Sequence, residues 1–331
     1  MSVPVTLMEL EHVLSPSSAE SYDQELLGGK GTGLFRLYAY GLPIPRTFVL
    51  TSKAYTDFCR ERELSVPVLS ESLRRPSSFK QIQFRQIKDW RDAFLTRSLV
   101  DDSQVLARLR VELTAALTQI GFSLEPFDPG VAVRSSATIE DSTEKSYAGM
   151  FSSTLSVRSI NGVLNAVLRC WASLWTPRVM ENVSPRDAPK MAVVVQETIP
   201  AVAAGVAFSS LPRDSSTVLI NASWGLAKGV ADGSVSPDDI RVDVESSSVK
   251  YRIGRKQVLF STKPGNGVEE QPTPPEMRQR LSLNATEAVE LARLCKKAEQ
   301  AFGRPLDIEW TLADDEFKIV QARPLVSSRF A

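Results

Sequence analysis

Histidine and cysteine are scarce in this sequence, and their scarcity excludes several kinds of chemistry. The 331 residues contain one histidine, His12, so a zinc site built from several histidines is excluded. A Ser-His-Asp triad or a phosphohistidine relay inside this chain would depend on His12 alone. Because His12 lies before every motif described below, we interpret it as an ordinary helix or loop residue. The cysteines are odd in number and far apart, which predicts buried thiols in place of a disulfide frame or a metal site: Cys59, Cys170 and Cys295.

An excess of one charge and long apolar runs are also missing. The sequence has 39 Lys and Arg residues against 39 Asp and Glu residues, so a dominant positive surface for nucleic acid is not expected. A local basic pocket for a small anion is compatible with this balance. No apolar run approaches the length of a membrane span, and the N-terminus lacks the basic and apolar regions of a signal peptide. We therefore expect a cytoplasmic protein with no nucleic-acid or membrane partner.

The distribution of sequence patterns predicts a two-lobed α+β protein. Helical periodicity dominates the first half, and short apolar strands dominate from Met191 onward. We place an N-terminal lobe at residues 1–195, a C-terminal β-rich lobe at residues 196–331 and a hinge near residues 196–200. Helices are predicted after residue 33 and over 52–61, 80–120 (in two pieces), 161–182 and 284–302, and a loop is predicted over 64–79. Strands are predicted over 46–50, 131–134, 149–157, 191–196, 204–209, 216–222, 240–244, 249–253, 306–312 and 317–322.

The last two predicted strands carry the sharpest chemical pattern. They are joined by a short acidic turn, so they are expected to pair as a hairpin that places Glu309 beside Gln321. A carboxylate and an amide oxygen suit Mg²⁺, which takes oxygen ligands and keeps waters or phosphates at its other positions. Arg323 would pair with a phosphate through its planar guanidinium. The alternative is a surface hairpin with scattered polar residues.

Two earlier segments have the composition of phosphate-binding sites. The glycine cluster at residues 28–33 precedes a predicted helix, where backbone N–H groups approach an anion and Lys30 adds a charge. Arg134 stands at the expected end of a strand and is followed by several hydroxyl residues. The alternatives are a flexible turn with a solvated lysine and a helix cap with a surface arginine.

A fourth segment is suited to a flat purine ring. The apolar strand at residues 191–196 ends at the expected lobe junction, where backbone groups and the side chain of Gln196 or Glu197 are able to read a ring edge. The alternative is a plain core strand.

Taken in order, these segments resemble a known family. The chain carries GGKGTG, VAVRSSATIEDS, SYAGMFSS, CWASLW, VVVQETI, GLAKGVADGSVSPD, DIEW and QARP. Together they resemble the nucleotide-binding domain of the phosphoenolpyruvate synthase and pyruvate phosphate dikinase family, to which rifampicin phosphotransferase is related. The resemblance runs from about Leu26 to Pro324 and leaves residues 60–125 without a matching motif.

The resemblance implies an ATP-grasp-like fold with ATP between two lobes. By position, Lys30 and Arg134 match the family's triphosphate contacts, and Arg323 matches its phosphate arginine; these three are the expected catalytic residues. The remaining matches are the adenine-hinge segment and the metal ligands: Gln196, Glu197 and Ile199 for adenine, and Glu309 and Gln321 for Mg²⁺.

The implied function is that of an ATP-dependent phosphotransferase component with Mg²⁺ as its metal. It would transfer a phosphoryl or diphosphoryl group to an acceptor, expected to be a histidine on a separate carrier protein, and give AMP and phosphate overall. One alternative is a stand-alone ATP-grasp kinase or ligase that acts directly on a small molecule. Another is a non-catalytic nucleotide-binding regulator.

The sequence departs from the family pattern at two points. The family commonly reads Gly-Leu-Gly-Glu where this chain has Gly-Leu-Ala-Lys, so Lys228 reverses a charge near the expected nucleotide. No segment matches the swivelling histidine domain of full-length relatives, so we expect a stand-alone nucleotide-binding unit.

Overall fold

A computed structural model describes most of the chain. The described residues are 10–18, 23–61, 85, 88, 91–92, 104–122, 125–140, 151–176, 179, 189–212, 214–265 and 267–325. The predicted loop at 64–79 and much of the predicted helical region at 80–120 lie outside them. Helices and antiparallel sheets are both abundant, so the α+β prediction is confirmed. Within the described residues, no helix is long and apolar enough to cross a membrane.

The elements of the first 200 residues alternate between helix and strand. In chain order they are β1 (Val13–Leu14), α1 (Gln24–Ala39), β2 (Thr47–Leu50), α2 (Ser52–Glu61), α3 (Gln104–Gln119), β3 (Val131–Ala137), β4 (Ser153–Val157), α4 (Ile160–Ser173) and β5 (Met191–Glu197).

Strands dominate the remainder of the chain. The elements are β6 (Ala203–Phe208), β7 (Thr217–Trp224), α5 (Lys228–Ala231), β8 (Asp238–Asp243), β9 (Ser248–Arg252), β10 (Val258–Thr262), β11 (Val268–Pro272), α6 (Pro275–Arg278), α7 (Ala285–Phe302), β12 (Leu306–Ala313) and β13 (Glu316–Pro324).

The strands of the described residues form two large sheets and one small one. The first sheet has the order β1-β2-β5-β3-β4, the second has the order β13-β12-β6-β7-β8-β9, and β10 pairs with β11 alone. Neighbouring strands within each sheet are antiparallel. The lobe boundary between residues 195 and 196 stays a prediction.

Helix α1 joins the two large sheets. Leu27, Leu34 and Phe35 are buried in the same apolar cluster as residues of β5, β6 and β12. The helix packs against β3 and β5 of the first sheet and against β13 of the second. Burial of such side chains contributes about 2 kcal/mol each. Helix α1 therefore sets the position of the first sheet relative to the C-terminal hairpin.

The glycine cluster was predicted to precede a helix. In the structure it lies inside α1. The helix is kinked at Gly28 (φ 66°, ψ 178°), a conformation that favours glycine. The hydroxyl of Ser136 on β3 bridges the kink, because it donates to Leu27 O (2.7 Å) and accepts from Gly31 N (3.0 Å). The glycines therefore bring the helix backbone against β3.

Several other predictions are confirmed or corrected. The helix at 52–61 is confirmed, and so is the helix near 284–302, with Asn284 as N-cap in a capping box and Gly303 as left-handed C-cap. The prediction that a strand ends at Arg134 was wrong, because β3 pairs with β5 as far as Ala137. The hairpin of β10 and β11 was not predicted: β11 carries two glutamates and a proline and has no apolar alternation.

The three cysteines and the single histidine are all buried. The three cysteines are buried and form no disulfide. Burial raises the pKa of Cys59 to about 11 and those of Cys170 and Cys295 to about 12, so the thiols are protonated at neutral pH. His12 is buried between two carboxylates, Glu112 (2.9 Å) and Asp57 (3.1 Å). This setting fits the interpretation of His12 as a structural residue.

The kink of α1 predicts a marked difference between two glycine substitutions. In Gly28→Ala the added Cβ would overlap the carbonyl oxygen of Ser136 in addition to the strain of positive φ. Gly233 also has positive φ (76°), but nothing lies within 4 Å of an added Cβ. We expect Gly28→Ala to lower the free energy of unfolding by about 2–5 kcal/mol and Gly233→Ala by about 1 kcal/mol.

Guanidinium-induced unfolding of the two variants measures this difference. Equal losses of stability would contradict the close contact between α1 and β3.

Candidate functional site

Every residue of the predicted site lines one cavity of about 600 Å³. A cavity of this volume is in the range that holds a small organic ligand. Its lining comes from α1, β3, β4, β5, α5, β12 and β13 and from the segments next to them. The predicted residues that line it are Lys30, Arg134, Gln196, Glu197, Ile199, Glu309, Gln321 and Arg323.

The C-terminal hairpin places its oxygens together. Glu309 of β12 and Gln321 of β13 are directly paired in the antiparallel register, and a bulge follows at Glu309–Trp310. Glu309 Oε2 and Gln321 Oε1 lie 3.2 Å and 3.4 Å from the same atom, Nη1 of Arg134. Two oxygens from adjacent strands thus already converge on one positive charge.

This donor set fits a hard divalent cation. A carboxylate oxygen and an amide oxygen match the preference of Mg²⁺, and the open cavity beside them leaves room for phosphate oxygens and waters. In this structure the positive group beside the two oxygens is Nη1 of Arg134, and the buried Nε atom of Arg134 has no hydrogen-bond partner among the described residues. Glu309 and Gln321 therefore offer oxygen atoms of the kind that a hard cation takes.

The other two cations that the sequence predicted for the site are also held by acidic groups. Arg323 donates from Nε (3.0 Å) and Nη2 (2.8 Å) to Oδ2 of Asp307, its register partner on β12. The ammonium of Lys30 donates to the backbone oxygen of Ser135 (3.0 Å) and contacts the carboxylate of Glu140. Glu140 is a buried residue that the sequence prediction missed; its signal was an acidic group at the end of the hydroxyl-rich segment after Arg134.

At the other end of the cavity, Gln196 has a fixed orientation. Its Nε2 group donates to the backbone oxygen of Val320 (3.2 Å) and to Thr47 Oγ1 (3.4 Å). A carbonyl oxygen only accepts hydrogen bonds, so the amide nitrogen must face Val320. Gln196 Oε1 is fully buried and has no partner within the described part of the chain. It is therefore a buried acceptor that none of the described residues satisfies.

Glu197 and Ile199 line the same end in different ways. Arg46 donates to both carboxylate oxygens of Glu197 (2.7 Å and 3.0 Å) and stacks on the ring of Phe122, 4.6 Å from its centroid. This pairing engages both carboxylate oxygens of Glu197. Ile199 adds a half-buried apolar surface.

Lys228 is paired where it lines the cavity. Its ammonium donates to Asp232 (2.8 Å) one turn further along the chain and lies 4.4 Å from the centroid of the Phe260 ring. Burial opposes ionisation of Asp232, but hydrogen bonds from Lys228 and Ser234 prevail and lower its pKa. The charge reversal at position 228 is therefore offset by an acidic group on the same wall.

A buried ion pair anchors the segment that follows α5. Lys256 and Asp238 are fully buried and paired, and Asp238 also accepts from Ser282 N (2.8 Å) and Ser282 Oγ (2.7 Å). The backbone N–H of Lys256 donates to Ser236 O (3.2 Å). Because a buried charge is costly without a partner, this network holds residues 236–238 in place.

With this geometry in hand, comparison with known proteins identifies the family. The model of the family described as "pyruvate phosphate dikinase, AMP/ATP-binding domain" matches residues 24–329. The chain belongs to this family, which confirms the resemblance read from the motifs.

Relatives with known names share the family but are longer. The chain is 34% identical to a probable phosphoenolpyruvate synthase of Methanothermobacter thermautotrophicus, over 92% of this chain and 44% of the relative. It is 30% identical to the uncharacterized phosphotransferase YvkC of Bacillus subtilis, over 92% of this chain and 34% of the relative. It is 31% identical to the prodigiosin synthesizing transferase PigC of Serratia marcescens, over 95% of this chain and 33% of the relative. The chain thus spans less than half the length of each.

Proposed function

We propose that this chain binds Mg-ATP in the cavity and transfers phosphoryl groups from it. The observation that carries the proposal is the convergence of Glu309 Oε2 and Gln321 Oε1 on one cationic position, with two more cations, Lys30 and Arg323, around the same cavity. The family description and the names of the relatives support it. The proposal includes a two-lobed, ATP-grasp-like arrangement, with lobes at 1–195 and 196–331.

When bound to Glu309 and Gln321, Mg²⁺ supplies charge neutralisation to the phosphate oxygens of ATP. For these two residues to hold it, Arg134 must give up its hydrogen bonds to them. The guanidinium of Arg134 is then available to bind a phosphate of the nucleotide. Lys30 and Arg323 stabilise negative charge that shifts during transfer, so catalysis rests on positioning and electrostatics.

The buried oxygen of Gln196 favours adenine over guanine. Adenine carries an amino group at position 6, which donates to an acceptor such as Gln196 Oε1, whereas guanine carries an oxygen there. The amide of Gln196 is held by Val320 O and Thr47, so it does not turn to suit guanine without losing those bonds. Ile199 supports one edge of the ring pocket by apolar contact.

Mutation of a metal ligand tests the nucleotide site directly. Glu309→Gln removes the carboxylate charge at constant size, and we expect it to weaken Mg-ATP binding about tenfold or more. Glu316→Gln, on the same hairpin but with an exposed side chain, is the matched control and should bind as the unchanged protein does. Isothermal titration calorimetry with Mg-ATP, and with ATP in EDTA, measures both.

The metal dependence of the effect is the decisive feature. In EDTA, Glu309→Gln should no longer bind ATP more weakly than the unchanged protein. The proposal would be disproved if the wild-type protein did not bind Mg-ATP, or if the Glu309→Gln variant bound Mg-ATP as tightly as the wild type.

The proposed acceptor is a histidine on a separate protein or domain. His12 does not line the cavity and is held between Glu112 and Asp57, so it is a poor acceptor. For AMP and phosphate to be the products overall, the bond between the α- and β-phosphates must break, and water must take the terminal phosphate. The phosphoryl group left on the acceptor comes from the β-position.

A transfer assay tests the acceptor. The protein is incubated with Mg-ATP and a purified swivelling histidine domain from a phosphoenolpyruvate synthase, or the same domain with its histidine changed to alanine. We expect AMP, phosphate and an acid-labile phosphohistidine only with the intact domain. Consumption of ATP at the same rate without any acceptor protein would contradict the proposed acceptor.

A further inference from the structure

Glu140 is an acidic residue in a cavity otherwise suited to a polyphosphate. Its side chain is about nine-tenths buried, lines the cavity and contacts the ammonium of Lys30. A buried carboxylate near phosphate groups is unfavourable by itself, because like charges repel strongly where water is scarce. Its position therefore calls for a compensating role, and its one ion-pair partner among the described residues is Lys30.

The backbone around Glu140 is fixed by several hydrogen bonds. Gln24 at the start of α1 donates to the backbone oxygens of Glu140 (3.1 Å) and Thr138 (3.3 Å). The Glu140 N–H donates to Ala137 O (3.1 Å), which ties the turn to the end of β3. Both groups that accept from Lys30, the Ser135 oxygen and the Glu140 carboxylate, thus belong to β3 and the turn after it.

The chemistry of the ammonium group then determines where Lys30 is able to bind. An ammonium has three N–H donors in a tetrahedral arrangement. Ser135 O and Glu140 take two of them, and no third acceptor contacts Lys30 in the part of the chain that the structure describes. Because Lys30 lines the cavity, the third donor is available to a ligand inside it.

We infer that Glu140 is a positioning residue for Lys30, which directs the remaining N–H donor of the ammonium at a phosphate of the bound nucleotide. This inference rests on the proposed function and adds a residue to it. Glu140 itself does not touch the nucleotide: its negative charge neutralises Lys30 in the empty cavity and fixes the direction of the ammonium when a polyphosphate binds.

A positioning role predicts that the effect of Glu140 changes sign with Lys30. With Lys30 present, Glu140→Gln should weaken Mg-ATP binding about tenfold, because the ammonium loses its fixed direction. In Lys30→Met, the Glu140 carboxylate is an unpaired anion near the phosphates. Glu140→Gln should therefore strengthen Mg-ATP binding a few-fold in that background. A purely structural residue would act in the same direction in both backgrounds.

The effect is measured by calorimetric titration with Mg-ATP and with adenosine. The four proteins are the wild type, Glu140→Gln, Lys30→Met and the variant with both substitutions. Adenosine lacks phosphates, so its affinity should stay constant and report an intact cavity. Glu140→Asp keeps the charge but withdraws it by one methylene, so it should also weaken Mg-ATP binding when Lys30 is present. If Glu140→Gln does not fold, Glu140→Asp tests the inference in that background alone, where an unchanged Mg-ATP affinity would overturn it.

The inference is overturned if Glu140→Gln changes Mg-ATP affinity equally in both backgrounds, raises it with Lys30 present, or changes adenosine affinity in parallel. Each of these outcomes is measurable only if the wild-type protein binds Mg-ATP. Absence of that binding would disprove the proposed function, so the two failures are distinguishable.

Discussion

A guanidinium from one sheet lies between two oxygens from the other, and the cavity is organised around that contact. Arg134 extends from β3 of the first sheet to Glu309 and Gln321 of the hairpin in the second. The contact depends on α1, which packs on both sheets and is kinked so that it lies against β3. Without that packing, the hairpin oxygens and the cations of the first half of the chain would not face each other.

The cavity cations are neutralised by acidic groups before any ligand binds. The pairs are Lys30 with Glu140, Arg134 with Glu309, Arg323 with Asp307, and Lys228 with Asp232. Each partly buried charge therefore has a counterion, which limits the cost of keeping it away from water. A magnesium ion and a polyphosphate bring charges of both signs, so in our proposal binding exchanges the existing ion pairs for pairs with the ligand.

Local pattern was enough to predict the hairpin, because a short turn forces β12 and β13 to pair and alternation then places Glu309 beside Gln321. Contacts between distant segments could not be predicted this way. Glu140 meets Lys30 across 110 residues of sequence, and only the kink at Gly28, bridged by Ser136, brings α1 close enough. A glycine-rich segment reads as a loop until such packing is known, which explains why the start of α1 was predicted too late.

The family resemblance supplied the set of site residues, and the geometry adds distinctions within it. Gln196 has a buried oxygen with no hydrogen-bond partner among the described residues, whereas the carboxylate of Glu197 is bound to Arg46. Sequence alone left these two residues equivalent, because the partner Arg46 lies on a segment far away in the chain.

A crystal structure with Mg²⁺ and a non-hydrolysable ATP analogue tests the central claim most directly. The account predicts one metal ion at about 2.0–2.1 Å from an oxygen of Glu309 and from Oε1 of Gln321, with Arg134 moved from these oxygens to a phosphate. A nucleotide bound in the cavity with Arg134 still between Glu309 and Gln321, and the metal held elsewhere, would contradict it.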